Sequence, residues 1–426
     1  MRKQRLARIG AATLAAVLSV QGMGFTSTVY AKEGTIRVKA DSQSQMSSEP
    51  EHVTVKDYGN NSVRTQNFDS DWKFNLGDVS NAQSPTFDDS KWRKLSLPHD
   101  YSIEQEYSQS LEAESGYLPG GIGWYRKNFT LSEETKGKRV RIDFDGVYMN
   151  ATVYVNGKEA GTHPYGYTPF SFDITDYISY DKENTIAVKV DHQTPSSRWY
   201  SGSGIYRSVS LTTTNDVHVD LNGIKVESNK LKDEVGKTVN TDVKTIIVNE
   251  SEEAKNITVT HTVFKKGEKP NTAIGTFTTE AKEVKAGEKA EISATVPVKN
   301  PELWSVENPE LYTIRTEVKA GDKLLDTYDT EYGFRYLNFD TETGFQLNGK
   351  NVKLKGVCMH HDQGALGAVA NRRAIERQVE ILQEMGCNSI RVTHNPASKD
   401  LIEVCNEKGI LVIEEVFDGW HRAKNG

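Results

Sequence analysis

Cysteine is scarce: the chain has three in 426 residues, Cys358, Cys387 and Cys405, and none precedes Cys358. An odd number confined to one late stretch argues against a disulfide framework and reads as buried free thiols, with a Cys358–Cys387 pair as the alternative. No CxxC or zinc spacing occurs among them. Excess positive charge is missing too. Lys and Arg total 52 against 59 Asp and Glu, a formal charge of −7. With no basic stripe after Arg8, a nucleic-acid footprint is excluded. Long apolar runs are short as well. Ile9–Val20 falls below the roughly 20 residues a membrane-spanning helix needs. No internal repeat marks a solenoid, and Gly202-x-Gly204 is too short to cradle a phosphate.

What is present begins with an address. Arg2, Lys3, Arg5 and Arg8, the apolar run after them and Val29-Tyr30-Ala31 make residues 1–31 a candidate secretory signal. Lys32 would start the mature chain, destined for secretion or the cell surface. Residues 32–58 are polar, rich in Ser, Gln and Glu, and read as a flexible arm.

The next two segments alternate apolar with polar residues, the period of half-buried strands. In residues 59–214 the runs are Arg139–Phe144, Ala151–Val155 and Thr185–Val190, with Asn156-Gly157 as a hairpin signal. Their length and spacing predict a jelly-roll β-sandwich. In residues 215–338, Val243–Val248, Ile257–Phe264, Ala290–Val296 and Leu311–Val318 predict an immunoglobulin-like β-sandwich. Asn300-Pro301 and Asn308-Pro309 bracket Trp304 as turns around an aromatic plug.

Residues 339–426 change period. Strands Lys353–His360, Ser389–His394 and Ile410–Phe417 alternate with helices Arg372–Met385 and Ser398–Lys408, the pattern of parallel βα units. A (β/α)8 barrel needs roughly 250 residues, so these would be the first three strands of a truncated one. The fold class is thus multidomain, mainly β and then α/β.

Ordered local strings add a resemblance. Asp71–Phe74, Leu97-Pro98-His99-Asp100, Gly123–Arg126, Asp145–Val147, Val155–Gly157, Gly204–Arg207, Leu303–Ser305, Gly333–Arg335 and Leu347–Lys350 come first. Lys355–Asp362 and Ile390–Pro396 follow. From Phe68 onward the chain resembles glycoside hydrolase family 2, and within it the exported bacterial β-galactosidases. The resemblance implies a sugar-binding jelly roll, an immunoglobulin-like domain and a catalytic barrel, in that order. It also implies hydrolysis of β-glycosides with retention, by two glutamates about 5–5.5 Å apart on late barrel strands.

Neither glutamate can be named. Asn249-Glu250 and Asn406-Glu407, the Asn-Glu pairs of the chain, fall away from barrel strand ends, so the acid/base and nucleophile would lie beyond Gly426. The implied substrate-binding residues are His394 and His360 at two strand ends, with Asp100, Glu415, Asp418, Arg198 and Trp199 around them. Arg391 reads better as an ion-pair partner, and Trp420 as either an aromatic wall or core. The chemistry requires no cofactor. A magnesium or sodium ion, carried over from some galactosidases, is put in doubt by Arg198, where those enzymes have an acidic ligand.

The expected partner is an oligosaccharide or glycan with terminal β-galactose, not nucleic acid, and no transmembrane segment is expected in the mature chain. The oligomeric state is left open. A β-glucuronidase is the alternative within the family, and a non-catalytic secreted carbohydrate-binding protein the alternative outside it.

Overall fold

The computed structural model describes residues 64–418, together with backbone strands Thr28–Lys32, Thr35–Lys39 and Glu51–Val53. The chain divides into two compact units, Met1–Glu49 and Pro50–Gly426. In the first, Thr28–Lys32 pairs antiparallel with Thr35–Lys39, Val29 opposite Val38. In the second, Glu51–Val53 lies parallel to Phe129–Leu131. Thr28–Lys32 overlaps the end of the candidate export signal, and Thr35–Lys39 and Glu51–Val53 fall within residues 32–58, the segment read as a flexible arm. Thr28, Val29, Thr35, Ile36 and Val38 are β-branched, which favours strand whatever the average polarity. The rest of the candidate signal, and Trp420, lie outside the described residues.

The jelly roll forms as two facing antiparallel sheets. One runs Lys158–His163, Ala151–Val155, Glu183–His192, Gly121–Leu131, Trp72–Leu76, Arg93–Leu95. The other runs Phe170–Asp173, Arg139–Phe144, Val209–Thr214, Thr65–Asn67. Alternation does the sorting. In Ala151–Val155 each buried residue is followed by a half-buried one. Asn156 and Gly157 take φ of 50° and 82°, which a two-residue turn between Val155 and Lys158 requires. The inner faces meet in a core that includes Phe68, Trp72, Phe129, Phe144 and Ile186.

The immunoglobulin-like sandwich pairs Val217–Glu227, Thr238–Asn249 and Lys289–Lys299 in one sheet. The other runs Gly275–Thr278, Lys255–Lys265, Tyr312–Ala320, Lys323–Tyr332, with Lys282–Val284 also paired to Lys255–Lys265. Trp304 is 2% exposed and packs with Leu311, Leu347 and Leu411, while its Nε1 donates to Asn406 O at 2.8 Å. The plug therefore joins this sandwich to the barrel segment.

That segment consists of β1 (Gly356–Met359), α1 (Arg372–Glu384), β2 (Ser389–Val392), α2 (Lys399–Lys408) and β3 (Leu411–Ile413). The three strands are parallel, in the order β1-β2-β3. Asn371 and Ser398 cap the helices by accepting from Ala374 N and Leu401 N. Ile375, Val379, Ile390, Val404 and Cys405 form the core beneath. Of the three thiols expected to be buried, only Cys405 is; Cys358 is exposed and Cys387 half-buried. No helix among the described residues is long and apolar enough to cross a membrane.

Each barrel strand is shorter than its sequence pattern predicts, because side chains replace the ladder at the ends. Ahead of β1, the Asn388 amide accepts from Lys355 N at 2.8 Å and donates to Lys353 O at 3.0 Å. Past β3, Glu414 accepts from Ala397 N at 2.6 Å and Glu415 from His394 N at 2.5 Å.

Candidate active site

His360 and His394 stand just past the C-terminal ends of β1 and β2, the end where barrels of this kind keep their chemistry. Their ring centroids are 5.4 Å apart. His394 has φ of 73°, a left-handed conformation that is uncommon for residues other than glycine and that histidine adopts more readily than most. Glu415 over-determines that turn. Its Oε2 accepts from His394 N, and its Oε1 accepts from Arg391 Nε at 2.9 Å and Nη2 at 2.6 Å. These bonds, the His394 amide first, hold the Glu415 carboxyl below its usual range.

The jelly roll supplies the other wall. Trp199 stacks on His394 with centroids 4.6 Å apart and planes 24° from parallel, and lies 5.7 Å from His360. Its indole N–H donates to Tyr167 Oη at 2.9 Å, which fixes the ring. Next to it, Arg198 is ion-paired with Asp418, whose other oxygen lies 3.6 Å from His394 Nδ1. Two adjacent jelly-roll residues thus grip two barrel strand ends.

The structure brings together six of the seven residues expected from sequence, but in unequal roles. His360, His394 and Trp199 form a half-open aromatic and imidazole cluster able to exchange hydrogen bonds with hydroxyls. Glu415 and Arg198 instead have their charges taken up by Arg391 and Asp418. Through these ion pairs they shape the cluster. Asp418 is paired with Arg198 yet stays beside His394.

Asp100 is the clearest correction. It is 1% exposed, not a loop carboxylate reaching the barrel mouth. Oδ1 accepts from Ser102 N and Ser203 N, both at 2.9 Å. Oδ2 accepts from Ala368 N at 2.9 Å and from the Tyr200 hydroxyl. With four donors in place, no lone pair is left for a sugar hydroxyl. Its work is to tie two jelly-roll loops to the barrel loop at Ala368.

Arg207 has a related role that sequence reasoning did not assign. Its Nη2 donates to Pro396 O at 2.8 Å and its Nη1 to Ala397 O at 3.1 Å, directly after the His394 turn. Tyr167 was also missed. Arg207 lies in a quoted string, Gly204–Arg207, but only the fold shows which backbone it serves.

Comparison with known proteins agrees with this architecture. Residues 66–215 match the family profile described as glycosyl hydrolases family 2, sugar binding domain. Residues 217–335 match glycosyl hydrolases family 2, and residues 341–422 its TIM barrel domain. A β-galactosidase of Bacteroides ovatus is 44% identical over 84% of this chain and 42% of its own length. A β-glucuronidase of Formosa agariphila is 30% identical over 82% of this chain and 38% of its own. A solved glycosyl hydrolase family 2 member from Bacteroides cellulosilyticus superposes with a TM-score of 0.81 at 38% identity, covering 85% of this chain and 47% of that one. The chain therefore spans less than half the length of these relatives. On three consecutive domain matches in one chain, it belongs to glycosyl hydrolase family 2.

Proposed function

We propose that this chain is the sugar-holding portion of an exported, retaining β-galactosidase that hydrolyses terminal β-galactosides of oligosaccharides or glycans. In this reading the acid/base and nucleophile glutamates stand on barrel strands that follow β3. The observation that carries it is the cluster of His360, His394 and Trp199 at adjacent strand ends. Imidazoles there can bond sugar hydroxyls and steady charge developing at the reacting centre. The 44% identity to a β-galactosidase favours galactose as the sugar. The β-glucuronidase reading is supported by relatives named putative β-glucuronidase at 39% identity and β-glucuronidase at 30%. A non-catalytic carbohydrate binder has no such support.

Asp418, the carboxylate beside His394, is already paired with the Arg198 guanidinium. Among the described residues no group of three or more His, Cys, Asp or Glu could hold a metal ion.

The test compares chromogenic β-galactoside and β-glucuronide as substrates for residues 32–426 and for a protein of the relatives' length that carries them. The longer protein is expected to favour the galactoside, and residues 32–426 to turn over neither. Faster glucuronide hydrolysis would overturn the choice of sugar. Hydrolysis by residues 32–426 would overturn the placement of the glutamates.

A further inference from the structure

One nitrogen of His394 faces two carboxylates at once. Its Nδ1 stands 3.6 Å from Asp418 Oδ1 and 3.7 Å from Glu415 Oε2. Both separations exceed a direct hydrogen bond, but the attraction between an N–H dipole and a carboxylate reaches that far. Carboxylate oxygens only accept. Together they favour a proton on Nδ1 and oppose a bare lone pair there. In water the neutral side chain carries its proton mainly on Nε2, so these surroundings reverse the ordinary choice.

Both carboxylates are held in place. Glu415 Oε2 also accepts from His394 N, and its Oε1 is gripped by Arg391. Asp418 Oδ2 accepts from Arg198 Nη2, which leaves Oδ1 as the oxygen on the His394 side. The two negative charges beside the ring are thus matched by two guanidiniums. Trp199 stacks on the ring and the His360 ring lies 5.4 Å away. The His394 side chain still stays 27% exposed, enough for a ligand to reach it.

We propose that Asp418 is a positioning residue that, with Glu415, fixes His394 as the Nδ1–H tautomer and makes Nε2 its bare, accepting nitrogen. Arg198 contributes from the jelly roll by holding the Asp418 carboxylate in this pose. The proton position of a barrel histidine is thereby set in part by the sugar-binding domain. A hydroxyl can donate to such an Nε2, whereas a carboxylate, which only accepts, cannot. At its own position the ring therefore takes a hydroxyl of the sugar in preference to the acid group of a uronic sugar. This last consequence rests on the sugar-pocket reading above; the tautomer does not.

The test is the imidazole nitrogen chemical shifts of the full chain labelled at histidine, with His394→Gln assigning the His394 signals. They are read at about pH 8.5, roughly two units above the ordinary histidine value, where an unperturbed imidazole is neutral. Nδ1 should read as protonated and Nε2 as bare. Asp418→Asn is nearly isosteric and sharpens the question. Arg198 only donates, so the amide oxygen turns to Arg198 and the NH2 group turns to Nδ1. A donor there favours a bare Nδ1, and both shifts should move toward the opposite tautomer. A proton on Nε2 in the unmodified chain would overturn the tautomer, and unchanged shifts in Asp418→Asn would overturn the role of Asp418. Should that variant fail to fold, Asp418→Ala withdraws the acceptor without adding a donor, and the same direction is expected. The shifts do not depend on which sugar is hydrolysed, so a failed galactoside assay leaves their result standing.

Discussion

At the scale of single residues, the contrast between Asp100 and His394 separates holding the site from forming it. Both lie in strings quoted for the family resemblance, yet one is sealed behind four donors and the other stands half-open against Trp199. Asp100→Asn is nearly isosteric but brings an NH2 group against groups that can only donate or are already donating. Leaving one or two of them unbonded costs about 1–3 kcal/mol each. We expect a lower urea midpoint, with sugar affinity affected only through stability. Unchanged unfolding with lost affinity would restore Asp100 to the sugar. Gly367 reports the same constraint: with φ of 63°, a Cβ there would collide with Asp100 Oδ2. The sequence could suggest that Asp100 sits on a loop. It could not show that its donors come from Ser203 and Ala368, which are distant in the chain.

At the scale of elements, period was legible while lengths were not. Alternation marked Arg139–Phe144 and Ala151–Val155, and the βα order marked the barrel segment, because those signals are local. The ends of β1 and β3 escaped because Asn388, Glu414 and Glu415 replace backbone partners across strand ends, a tertiary effect. The Trp304 plug was legible as an aromatic between turns, but its partner Asn406, at the end of α2, was not. Its position leads to the second expectation. Trp304→Ala removes a buried indole that touches both the sandwich and the barrel, a change that typically costs about 3–5 kcal/mol. The immunoglobulin-like core of Val239, Val263 and Ile314 is left intact. Limited proteolysis should then release the barrel segment before either sandwich is cut. Simultaneous loss of all three would show that they unfold as one unit.

At the scale of the whole molecule, buried histidines give the fold a pH dependence with a definite sign. His192, His218 and His261 sit in the sandwiches and His361 at the junction with the barrel, and burial holds each near a pKa of about 4. Above the ordinary histidine value of 6.5 neither the folded nor the unfolded chain protonates them. As pH falls below that value, the unfolded chain takes up protons that the folded chain refuses until about pH 4. Stability is therefore fully present above 6.5 and declines toward 4, by up to about 1.4 kcal/mol per pH unit for each histidine. Asp326 works the other way. Despite its ion pair with Arg64 at 2.5 Å, burial raises its pKa to about 6. Between 6 and its ordinary 3.8, acid consequently favours the fold at this one group. Four histidines outweigh Asp326, so acidification should lower stability. Urea unfolding at a series of pH values across that window should show a falling midpoint. His261→Gln, which removes a fully buried imidazole bonded to Thr316, should make the fall shallower even if it lowers stability at neutral pH. A flat profile in the unmodified chain would mean that these rings reach protons without unfolding, and the burial that orders both sandwiches would have to be looser than their packing describes.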